Sequence, residues 1–535
     1  MKPFISSLLL TALVSTPIFA AVDIRPKALV APSAFKGVHG LAVDHQGRLL
    51  AGSVVGSSIY KVDIDTGEVQ TFIGPDQGQA DDIAIGPKGE MAWTAFTQGK
   101  VLYRENDQAP IRVLAENLPG INSIAFNQNT GQLFASQVFL GDALWEVDVS
   151  GEAEPRLIAK DMGGFNGFEV GGDDWVYGPL WFKGQVVRIN PVDGEMKTVA
   201  EGFETPAAVN FNSKGELYVV DTEAGTLIKV DVGSGKKVVA AELSTSLDNL
   251  AIDAQDHIFV SNMADNSIIQ VNPDTGEKRT ITEGELAIPA GLVLSEDGKT
   301  VYIADFFAFR SVDTKTGQVT DIRRAHGSDV QYPTSVGLGK QHLYLTGLST
   351  NVLQIINRND LSTAALLPDF NAPSDAIELA DGSVVVSEMG SGSLIKLSGP
   401  DFADRSTLVT GLNGPVQMAL GKDGQVYLTE ASGFLTRIDP VSGQITRVAK
   451  DLAMPEGLAQ TADGQWIVAE TAAKRLTKID LVTGQRSIIA KDLPIGLAAT
   501  PSMPPSGIPT GVAVDQQGTV YFGSDIDNGL YRLDY

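Results

Sequence analysis

The chain has 535 residues with 40 Lys and Arg against 65 Asp and Glu, a formal net charge of −25, and no cysteine. That acidic balance lacks the positive footprint that DNA, RNA or an anionic membrane surface requires, so no nucleic-acid partner is expected. The absence of thiols excludes disulfides, thiolate zinc sites, a cysteine nucleophile and lipid-modified cysteines.

In chain order, Lys2, the apolar run from Leu8 to Val14 and the small residues Ala20 and Ala21 predict a removable signal peptide over residues 1–20. The run is too short to cross a bilayer comfortably and nothing later reaches that length, so stable membrane insertion is not expected. The mature chain is expected to be periplasmic or secreted.

From residue 21 onward one pattern recurs twelve times. Each copy opens like His39-Gly40-Leu41-Ala42-Val43-Asp44, passes a polar turn, and continues through short apolar strands such as Gly215-Glu216-Leu217-Tyr218-Val219-Val220-Asp221. The residue two before the first strand is His39, Asp81, Asn122, Asn166, Ala207, Asp248, Ala290, Thr334, Asp375, Val416, Glu456 and Thr510. A period near 40 residues without helical segments predicts four-stranded propeller blades, which bury their faces against one another.

Twelve blades in one ring would leave a wide channel, so the fold class expected is all-β, with two tandem six-bladed β-propellers built from twelve four-stranded repeats. The domains are expected at 21–276 and 277–535. Residues 26–32 resemble an outer strand and are expected to complete the last blade of the first ring. Lys278 to Thr282 is expected to leave the sixth blade and close the second ring. The Pro-rich stretch from Pro494 to Pro509 reads as an enlarged loop over the second ring.

The column of blade-opening residues should surround the channel mouth. In the first ring five of six members can bind a metal or hydrogen-bond; the second ring has two carboxylates among six. Asp and Asn oxygens on one axis suit Ca2+, which takes about six to eight oxygen ligands, better than zinc. Each such residue can also cap its own turn, but capping gives no reason for polar residues to gather in one ring. Asp81, Asn122, Asn166, Asp248 and the neighbouring Asn249 are the metal candidates.

Leu247-Asp248-Asn249-Leu250, Phe165-Asn166-Gly167, Ile121-Asn122-Ser123 and Ala80-Asp81-Asp82-Ile83 resemble strand starts of the gluconolactonase and regucalcin family, whose relatives include paraoxonase and diisopropyl-fluorophosphatase. The resemblance implies a six-bladed, calcium-dependent hydrolase. The order of the acids departs from the family: here they stand one blade before and two blades after the Asn pair, with Ala207 between. Gly424-Gln425-Val426-Tyr427-Leu428-Thr429-Glu430 is also similar to virginiamycin B lyase and to NHL-type repeats.

His39 stands in the column and is the proton-transfer candidate, with Asp82 as a second water-directing candidate. His45, His257 and His342 fall in turns on the far face, and His326 lies in a loop of the second ring. Trp181 and Phe182 follow a second strand on the channel-mouth side and are candidates to stack on a substrate. Phe306, Phe307 and Phe309 form the matching cluster in the second ring, facing either a ligand or the neighbouring ring. The function expected is hydrolysis of a small lactone, ester or sugar-derived substrate. A non-catalytic ligand- or protein-binding scaffold and a metal-dependent lyase are the alternatives, since propellers host many functions.

Overall fold

The computed structural model describes residues 25–500 and 504–535; the expected signal peptide lies outside them. Strands of the described residues form twelve four-stranded antiparallel sheets. Helix is confined there to three short 3-10 turns, Phe96–Gln98, Pro400–Phe402 and Thr471–Ala473. The protein is all-β, with two tandem six-bladed propellers. Innermost strands touch in sequence around each ring: Leu41–Val43 meets Ile83–Ile85 on one side and Leu247–Ile252 on the other, and Leu292–Leu294 meets both Ser335–Leu338 and Val512–Val514.

Burial follows from this stacking. The second strand of a blade lies between two neighbouring sheets, so Leu217–Asp221 and Trp466–Glu470 are buried along their whole length. Outer strands such as Met196–Glu201 keep only one or two residues inside. Between blades one and two, Leu50, Ile59, Ile83, Trp93 and Leu102 pack together, and each large apolar side chain so buried stabilises by about 1.5–3 kcal/mol. The Asp-x-x-Thr-Gly turns end these hairpins locally: Asp63 Oδ1 accepts the amides of Asp65 and Thr66 at 3.0 and 2.8 Å, and Gly67 takes a φ of 74°.

Ring closure corrects the sequence expectation. Lys278–Thr282 pairs with Ser267–Val271 and stays in the sixth sheet, whereas Lys27–Val30 pairs antiparallel with Leu530–Leu533 in the twelfth. A tight turn holds the former in its own hairpin, and the latter fills the one blade lacking a fourth strand. The first ring is thus a continuous segment, 41–282, lying in the chain between the first strand of the second ring and the rest of it. The expected boundary at 276/277 moves past Thr282, and residues 27–30 belong to the second ring. Pro494 to Pro509 joins two blades of that second ring.

The rings are bound together at the crossing of segment 33–37. Asn266, at the end of the first ring, donates to the carbonyls of Phe35 and Ala287 at 2.6 and 2.9 Å and accepts the Gly37 amide at 2.7 Å. Asn528 grips Ser33 and Phe35 from the twelfth blade. Beside them Arg310 is buried against Asp305, Asp265 and Asp321 and donates to the Ala264 carbonyl at 2.6 Å. A core of Met263, Ala264, Ile288, Phe307 and Phe309 continues across the junction.

Candidate metal and substrate site

The inner strands of the first ring open at a cavity of about 600 Å3. His39, Asp81, Asn122, Asn166 and Asp248 form its polar floor. Adjacent blades approach closely here: the Gly40 amide donates to the Asp81 carbonyl at 2.6 Å. A side chain at Gly40 would put a Cβ 2.4 Å from that oxygen, so only glycine admits the approach.

Ligating atoms of His39, Asp81 and Asp248 all lie within 4.8 Å of one another. His39 Nδ1 is 3.2 Å from Asp248 Oδ2, while its buried Nε2 has no hydrogen-bond partner. Ser123 Oγ stands 2.8 Å from Asn122 Oδ1 and 3.2 Å from Asn166 Oδ1. One hydroxyl proton cannot satisfy both amide oxygens, so acceptor capacity is left over at the floor.

The electrostatics point the same way. Burial pushes the Asp81 carboxyl up to about 8; His39 opposes this, and Asp248 and Asp82 add to it. Burial also lifts Asp82 and Glu169 to about 7 each. For His39, burial alone would depress the imidazole, but the charge and hydrogen bond of Asp248, with Asp81, outweigh it and raise the pKa. Several acids crowded with spare amide oxygens fit a hard divalent cation, which would let them ionise together. Four of the expected ligands, Asp81, Asn122, Asn166 and Asp248, offer this oxygen-rich set; His39 adds a nitrogen at its side.

Asp82 and Asn249 stand elsewhere. They do not line the cavity but occupy the layer beneath it. Asp82 accepts the amides of Ile83 and Ile124 at 2.9 and 3.2 Å and the Asn249 side chain at 3.0 Å. Asn249 Oδ1 accepts the Leu250 amide at 2.7 Å. With these oxygens engaged, Asp82 is ill placed to direct water and Asn249 to bind metal; both brace the floor.

Trp181 lines the cavity, whereas Phe182 does not and is 64% exposed. Phe182 packs edge-on against Phe139, itself at the rim with Leu140. Glu169, in the inner strand three residues after Asn166, does not line the cavity; its carboxyl is raised by burial and by the charge of Asp82. Phe306, Phe307, His326 and Tyr332 of the second ring form the opposite wall, together with Thr500 and Pro504. Phe306 and Phe307 thus face the neighbouring ring, one of the two expected orientations, whereas no local pattern marks His326 or Tyr332 for this cavity.

Residues 162–283, which hold blades four to six, match the model of the SMP-30/gluconolactonase/LRE-like region. The first ring is a gluconolactonase-like propeller over that stretch, which carries Asn166 and Asp248. No curated protein sequence matches the chain. Among solved structures, the extracellular domain of a hybrid two-component system from B. thetaiotaomicron is similar with a TM-score of 0.34 and 10% identity, over 96% of this chain and 83% of that one.

Proposed function

We propose that the protein is a secreted or periplasmic calcium-dependent hydrolase of small lactones or esters, acting at the mouth of the first ring. The observation that carries this reading is the meeting of His39, Asp81 and Asp248 within 4.8 Å at the floor of a cavity shared with Asn122 and Asn166. Asp81, Asn122, Asn166 and Asp248 would hold the cation, whose chemistry is Lewis-acid polarisation of a carbonyl. The match of blades four to six to a gluconolactonase-like region supports the same class. The basic, apolar and small residues at positions 1–20 support export.

His39 is suited to proton transfer. Asp248 holds Nδ1 and leaves Nε2 without a protein partner, so this nitrogen can take a proton from water and return it to the departing oxygen. Trp181 offers a ring face or edge to an apolar substrate body. Asp82, Asn249 and Ser123 keep the floor in register from below.

Calorimetric titration with calcium, alongside an aryl-ester and lactone screen with and without chelator, tests this reading. Stoichiometric binding with chelator-sensitive turnover is expected. Failure of the unaltered protein to bind calcium removes the mechanism. A chelator effect on melting alone, without turnover of any ester or lactone, favours a binding scaffold carrying a structural ion.

A further inference from the structure

The two rings share one cavity, and the wall given by the second ring is not passive. We propose that Tyr332 is a substrate-binding hydrogen-bond donor, held in position by His326, so that the second ring completes the site whose floor belongs to the first. This rests on the proposed hydrolytic reading for the nature of the substrate's polar end.

Three observations converge on the pair. Tyr332 Oη and His326 Nε2 are 2.6 Å apart, and both residues line the cavity. Their rings are clasped from both propellers. His326 meets first-ring Trp181 edge-on at 5.1 Å, and Tyr332 packs on Phe307, which in turn meets His39 at 5.7 Å. Finally, His326 and Tyr332 hold left-handed backbone, with φ of 61° and 46°, as do Phe306 at 26° and Phe139 at 67° on the same cavity. Bulky side chains avoid this region, and such strain gathers where function over-determines the geometry.

The chemistry of the pair follows from its surroundings. Burial pushes His326 down to about 4, so the imidazole is neutral at physiological pH. Burial, then the charges of Asp248 and Asp81, raise the Tyr332 phenol, so it keeps its proton. The donor role of Tyr332 requires the tautomer in which Nε2–H donates to Oη. The phenolic proton is then free to meet a substrate oxygen while the apolar body rests against Phe306, Phe307 and Trp181.

The test is binding of 3,4-dihydro-2-quinolinone, a lactam that keeps the ring carbonyl of an aryl lactone but resists hydrolysis, titrated into the full chain with calcium present. Saturable binding is expected, weakened about tenfold by Tyr332→Phe, as suits the loss of one buried hydrogen bond. His326→Asn, whose new residue tolerates left-handed backbone, should weaken it several-fold. Calcium affinity should stay within about twofold in both variants, which also checks folding; should Tyr332→Phe fail to fold, His326→Asn carries the test. Unchanged lactam affinity in the variants, or no saturable binding by the unaltered protein, overturns the inference. Lactone turnover that is calcium-dependent yet indifferent to Tyr332→Phe overturns it while leaving the first-ring reading intact. Absence of calcium binding in the unaltered protein removes both.

Discussion

His39 Nδ1 lies 3.2 Å from Asp248 Oδ2, so the first and sixth blades meet through the candidate site itself. Because Lys278–Thr282 stays in the sixth sheet, no strand is shared across this seam. The site therefore also helps to close the first ring. The His39 pKa is raised, so the pair stabilises fully below about pH 6.5 and the contribution is lost as pH rises through the folded value. His39→Gln in metal-free protein should cost more stability at pH 5.5 than at pH 8.5. Denaturant melts at the two pH values would read it, and equal costs would contradict the linkage.

Asp248→Asn keeps the shape of the floor but removes one charge. Calcium affinity should fall at least about tenfold, the scale of one charged ligand among a few. The melting temperature gained on adding calcium should shrink with it. Calorimetry and thermal melts would show this; an unchanged affinity would place the ion elsewhere.

Asn266 joins the end of the first ring to segment 33–37 and to the start of the second. Its amide serves the Phe35 and Ala287 carbonyls, and its backbone is left-handed at φ 47°. Asn266→Ala leaves buried carbonyls unpaired and strains the backbone, a loss of about 2–4 kcal/mol. Asn266→Asp should cost at least as much as Ala: one oxygen still accepts the Gly37 amide, but the other sets a buried charge against the Phe35 and Ala287 carbonyls. Equilibrium unfolding of the two variants ranks them.

Arg310 neutralises Asp305, whose carboxylate also accepts the Ala287 and Ile288 amides. Arg310→Met would strand a buried acid and should destabilise by about 3–5 kcal/mol. Asp305 is held near 6 by burial even with its partner present, so the variant should lose more stability at pH 8 than at pH 5. A urea series at both pH values checks the magnitude and the slope.

Glu456 lies in the second ring, where burial, with Asp525 adding to it, lifts its carboxyl to about 7. A raised acid stabilises below its unfolded value of 4.5, and that contribution disappears as pH climbs toward 7. Glu456→Gln can still accept the Thr510 amide. It should therefore raise stability at pH 8 relative to the unaltered protein, by up to about 3 kcal/mol, and do little at pH 4. Thermal melts across that range would expose a missing crossover.

The twelvefold repeat was legible because it is local: turns such as Asp63 to Gly67 and short strands such as Leu217–Asp221 depend on neighbours in the chain. The same periodicity set His39, Asp81, Asn122, Asn166 and Asp248 on one column, since each opens the inner strand of its blade. What only the tertiary structure decided is long-range. Pairing of Lys27–Val30 with Leu530–Leu533 depends on which blade lacks a strand once every other hairpin has closed. Tyr332 and His326 reach the first ring's cavity only because the rings are packed together, and no period of 40 residues encodes that contact. Asp82 and Asn249 look like ligands along the chain, yet the amides of their own next residues, Ile83 and Leu250, and of Ile124 on the neighbouring blade take up their oxygens. Local pattern selects the elements; the free energy of burying faces and satisfying buried polar groups selects their partners.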